Sequence, residues 1–119
     1  MKKKPPKKPA ESWRVISVPI WKAQVFVYCG PYEKLLERVA EAGLDASKMP
    51  DKTDVQSMEA CAIRTMNDAI VWSREPMQLP LLVHELVHAT IMILDARGCS
   101  DDTEAVAYTM EFLYKEATK

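Results

Sequence analysis

The sequence predicts an α+β fold, and three observations carry that expectation. Residues 13–29 are rich in Val, Ile, Trp, Phe and Tyr, the composition of strands. Two short β-prone runs, CAIRTM and AIVWSRE, flank the dipeptide Asn67-Asp68. Helical periodicity and helix punctuation mark residues 32–42, 80–97 and 102–118. A chain of 119 residues that is 48% hydrophobic and 28% charged is long enough for one domain with its own core.

The net charge of −1 conceals an asymmetry. Five lysines fall among the first eight residues, leaving 11 basic against 17 acidic residues in the remainder, a balance of about −6. Prolines 5, 6 and 9 forbid a helix there and no side chain offers packing, so residues 1–11 read as a disordered Lys/Pro-rich tail and residues 12–119 as the domain. Such a tail suits nucleic acid or an acidic partner, or simply keeps the chain soluble. Lysines without interleaved aromatics are a weak signature of nucleic-acid binding.

WRVISV and IWKAQVFVYC alternate as two strands separated by Pro19, and Gly30-Pro31 ends the second. YEKLLERVAEA follows as an amphipathic helix with Leu35, Leu36, Val39 and Ala40 on its buried stripe, stopped by Gly43. Residues 44–57, polar and containing Pro50, read as a loop. Asn67-Asp68 is then the two-residue link of a β-hairpin whose second strand, Ala69–Arg74, leads toward the next helix. If the outer edge of that strand is free, an extended peptide can pair with it.

The most informative stretch is QLPLLVHELVHATIMILDARG. Pro80 suits a first helical turn and Gly98 the position just past a helix end. Apolar residues cover nearly the whole circumference between them, so the helix is expected to be buried on almost every side. Into it the sequence places the only two histidines of the chain, His84 and His88. A spacing of four brings both imidazoles to one face, one turn apart, within reach of a single metal ion. Glu85 projects about 100° away from His84, beside the metal, where a carboxylate can deprotonate a bound water.

The last helix begins at Ser100-Asp101-Asp102-Thr103, with Asp101 and Glu104 in capping-box register. Two histidines leave a catalytic zinc site one protein ligand short. Glu104, Tyr108 and Glu111 share a face of this helix, and that face is the natural source, through Glu104 or Glu111. A plain antiparallel hairpin of the last two helices sets His88 level with about residue 110, which favours Glu111 and leaves Glu104 short by roughly 9 Å at 1.5 Å per residue.

HELVH followed by EAVAY resembles the gluzincin metallopeptidases, particularly the very small domains of this type encoded by phages and prophages. The resemblance spans about residues 13–119, and its specific part is residues 84–88 and 104–108. It implies a zincin-like domain, with a small twisted sheet packed on an active-site helix and a following glutamate-bearing helix. It also implies a Zn²⁺ ion held by His84, His88 and Glu104, with Glu85 as general base. Larger gluzincins often carry an aspartate four residues after the glutamate ligand. Here Tyr108 stands there, and its hydroxyl is a candidate for stabilising an oxyanion. Glu104 is the choice on the family pattern, with Glu111 in reserve.

The expected function is hydrolysis of peptide bonds in an extended peptide or protein lying along Ala69–Arg74. The alternative is a non-catalytic zinc-binding module acting in phage assembly or in protein or nucleic-acid interaction. A DNA-binding regulator would need a basic helix face, and neither long helix has one. Cys29, Cys61 and Cys99 show no paired spacing and read as reduced thiols of a cytoplasmic protein. No signal peptide is evident, and His-Glu-His in the middle of the most apolar stretch argues against lipid.

Overall fold

The computed structural model describes residues 11–119. All of the expected Lys/Pro tail except Glu11 lies outside those residues; Glu11 pairs with Arg38 at 3.3 Å.

Strands β1 (Ser12–Val18) and β2 (Ala23–Cys29) form an antiparallel pair around a 3-10 turn at Pro19–Trp21. That turn shortens the second expected strand: Lys22 adopts φ 50°, and regular pairing resumes only at Ala23. Helix α1 (Tyr32–Glu41) follows. The expected loop contains a 3-10 turn at Ala46–Lys48, capped by Asp45, and one helical turn, α2 (Lys52–Val55).

Strands β3 (Ala60–Arg64) and β4 (Ala69–Ser73) form the expected hairpin, but with a four-residue link. Thr65 and Asp68 close it, the Asp68 N–H donating to Thr65 Oγ1 at 3.0 Å and the Thr65 N–H to the Asp68 carbonyl at 3.2 Å. Helices α3 (Leu79–Asp95) and α4 (Thr103–Ala117) complete the chain. The cap of α4 is Asp102, whose carboxylate accepts from the Glu104 and Ala105 N–H groups, so a simple N-cap one residue later replaces the capping box expected from Asp101 and Glu104.

The four strands form one mixed sheet in the order β1-β2-β4-β3, with β2 and β4 parallel in the middle. A parallel neighbour covers one edge of β4 and its hairpin partner the other. Ala69–Arg74 therefore has no free edge for a peptide, and the marginal strands of the sheet are β1 and β3.

Alternation along the strands sends side chains to two layers. Ile16, Val18, Val25, Ala69 and Val71 meet Leu86, Ala89 and Ile93 of α3 and Leu113 of α4. Phe26, Tyr28, Ile70 and Trp72 face the other way, onto Tyr32, Leu35 and Val39 of α1. Each fully buried Leu or Ile contributes about 1.5–3 kcal/mol of transfer free energy. Gly30 (φ 150°) is required where β2 leaves the sheet, because a Cβ there would stand 2.7 Å from Tyr28 Oη. Among the described residues, no helix is long and apolar enough to cross a membrane.

Candidate metal centre on helix α3

The expectation of a helix buried on almost every side is only half met. Leu86, Ala89, Thr90, Ile93 and Leu94 are buried, but His84, Val87, His88 and Ile91 form an open stripe at the i, i+3, i+4, i+7 spacing. The histidines lie on the solvent side of α3.

His84 Nε2 and His88 Nε2 stand 3.2 Å apart. Two nitrogens each about 2.0–2.1 Å from one zinc ion at a tetrahedral angle would be separated by roughly 3.3–3.4 Å. The pair thus fits two ligands of such an ion.

Glu85 turns inward beside them. It is only 4% exposed, with Oε1 3.8 Å from His84 Nε2 and Oε2 buried without a hydrogen-bond partner. Burial pushes its carboxyl above the ordinary range, opposed by the neighbouring His84 and His88. A buried carboxylate oxygen without a donor is costly, and a water or substrate N–H at the mouth of the site would satisfy it.

The expected third ligand does not join this cluster. Among the described residues, no group of three His, Cys, Asp or Glu is placed to hold a metal ion, and beside the two histidines stands only Glu85. The packing of α3 explains this for Glu104. Thr90 Oγ1 lies 3.8 Å from Met110 Sδ, so Thr90 marks the flank of α3 that faces α4. His88, two residues earlier, projects about 160° away from Thr90 around the axis. Asp95, seven residues after His88 and within about 20° of its direction, pairs with Arg64 of β3 at 2.8 Å.

The histidines therefore look out over the β3 flank, while Glu104 is carried on the opposite one. Matching Thr90 with Met110 in antiparallel register also sets Glu104 about eight residues from the level of His88, near 12 Å. Glu104 is exposed. Glu111 is held by Lys115 at 2.8 Å, an ion pair that lowers its pKa. Tyr108 is 54% exposed on α4, also away from the histidine face.

Two carboxylates that sequence reasoning did not weigh lie near the N-terminal end of α3. Glu59, at the entrance to β3, and Glu75, just after β4, line a cavity of about 590 Å³ with Arg74, Gln78, Pro80 and Leu81. Pro80 and Leu81 form the turn of α3 directly before His84. The Arg74 guanidinium is engaged by the Gln56 carbonyl at 2.9 Å and lies over the Trp72 ring. Glu75 is close to α3 in sequence, and the β3–β4 hairpin brings Glu59 to it, the Arg74 N–H donating to the Glu59 carbonyl at 2.9 Å.

The chain matches no family model, no curated protein and no solved structure.

Proposed function

We propose that this chain is a minimal zinc-dependent peptidase domain, with His84 and His88 as metal ligands and Glu85 as general base. One observation carries the reading: two imidazole nitrogens at chelating distance with an unpartnered, buried carboxylate oxygen beside them. A zinc ion bound there would supply a water of lowered pKa and polarise a substrate carbonyl. With such an ion in place, the Glu85 carboxylate would take the water's proton and pass it to the leaving amine.

The substrate in this reading is an extended peptide against the outer edge of β3, the margin of the sheet on the histidine flank. Edge strands offer unpaired backbone groups to such a ligand. The third protein ligand remains Glu104 or Glu111 only if α4 repacks. Without that movement the remaining positions fall to water, substrate or a carboxylate from the β3 flank. The separation of α4 from the histidines favours the second reading, a zinc-binding module without turnover.

The deciding experiment compares zinc-loaded wild type with Glu85→Gln on a mixture of unstructured peptides, read by mass spectrometry. Turnover that falls by about 10²–10⁴ in the variant while zinc is retained supports the peptidase. Equal turnover removes Glu85 from the role, and none in either protein leaves the non-catalytic module.

A further inference from the structure

The other side of the sheet holds a second cavity. It measures about 500 Å³ and lies between the end of α1, residues 43–49 and the β3–β4 link. Val39, Leu44, Met49, Met66 and Ile70 give it apolar walls. Its size and lining are those of a small-molecule pocket rather than a packing defect. Val39 and Ile70 belong to the α1 layer of the core, so the sheet separates this cavity from the histidines.

Its mouth is polar and predominantly cationic. Lys48 and Arg64 both line it, and Lys48 makes no ion pair among the described residues. The one carboxylate there, Asp45, accepts from the Ser47 N–H at 3.0 Å and the Ser47 hydroxyl at 2.6 Å. Met66, at the tip of the β3–β4 link, is 80% exposed and stands over the cavity with nothing to cover it.

The geometry points to a binding site for a free, single-chain amphiphile with an anionic head, such as a medium-chain fatty carboxylate. The tail fills the apolar space under Met66, and the head takes the charge of Lys48 and shares Arg64 with Asp95. Charge complementarity selects this occupant: the lining carries two cations, Lys48 and Arg64, against the single carboxylate of Asp45, so an anionic head is drawn to the mouth and a cationic one repelled.

Isothermal titration of the full chain with octanoate, decanoate and decylammonium, each below its micelle concentration, tests the site without reference to peptidase activity. One carboxylate is expected per chain, tightening about fourfold for each added methylene. Lys48→Glu is expected to weaken decanoate about three- to tenfold. Met66→Asp, another exposed position, is expected to weaken it as well. Failure of decanoate to bind, equal affinity for decylammonium, or indifference to both substitutions would each overturn the assignment.

Discussion

Thr90 and His88 point to opposite sides of helix α3, one against Met110 of α4 and the other toward the flank where Asp95 meets Arg64. That opposition decides which parts of the chain can serve the histidines.

The first expectation concerns metal. Purified wild type supplied with zinc should hold about one ion per chain, and His84→Ala or His88→Ala should lose it. Glu104→Ala should keep it, because its side chain is carried on the other flank. Elemental analysis after gel filtration reads all four proteins. Loss of zinc in Glu104→Ala would show that α4 reaches the histidines after all.

A second expectation follows from the isolation of Glu85 Oε2. In the presence of a chelator, Glu85→Leu should gain about 1–3 kcal/mol in urea unfolding, since an unsatisfied buried carboxyl gives way to an apolar side chain. A site that destabilises its own scaffold is usual where function requires it. A lower midpoint in the variant would mean that Glu85 has a partner that stabilises it.

Trp21 and Thr109 supply a third. The Trp21 Nε1–H donates to Thr109 Oγ1 at 2.7 Å, joining the first turn of the chain to the fully buried face of α4. Thr109→Val keeps the volume but strands the indole N–H, and should cost about 1–3 kcal/mol. Thr109→Ser should recover most of the loss, and failure to do so would assign the effect to packing.

Alkali should unfold the domain. Burial, with the Glu11 carboxylate, pushes the Tyr28 hydroxyl up to about 12, and burial with nearby Cys61, Asp51 and Asp54 does the same for Tyr32. The ordinary tyrosine value is near 10, so above it the unfolded chain releases protons that the folded one retains. Stability from these two groups is complete below pH 10 and declines as pH rises toward 12. Urea midpoints at pH 9, 10 and 11.5 should fall accordingly, and the slope should flatten in Tyr28→Phe/Tyr32→Phe.

Thiol chemistry gives a fifth. Burial, then the Glu85 carboxylate, pushes Cys61 up to about 11, leaving about one thiolate in a thousand at pH 8. Alkylation by iodoacetamide at that pH should leave Cys61 largely unmodified while the protein is folded. Prompt labelling, located by peptide mapping, would contradict this.

Local pattern made much of this fold readable. Pro80 and Gly98 bracket α3 within three residues of its ends, and the Leu35–Val39 stripe locates α1. The hairpin was legible from composition, but not the length of its link, because Thr65 draws Asp68 into hydrogen bonds that two residues cannot make. The exposure of His84 and His88 was hidden, since apolar Val87 and Ile91 share their open face and hydropathy alone buries them. Nothing local announces that β2 and β4 pair in parallel. That pairing encloses β4 and leaves β1 and β3 as the marginal strands. The flank assignment of Glu104 depends on how α3 sits on that sheet, so it too lay beyond the reach of spacing.

The parallel contact between β2 and β4 also constrains the order of assembly. Val25 aligns with Ala69, so 43 residues must be looped out before the centre of the sheet can close. The β1–β2 and β3–β4 hairpins and the α3–α4 pair each join neighbours in sequence and can form early. Closure of the two hairpins into one sheet is the slow, non-local event. Until it happens the apolar faces of α3 and α4 have no sheet to cover them, and aggregation competes with folding during that interval.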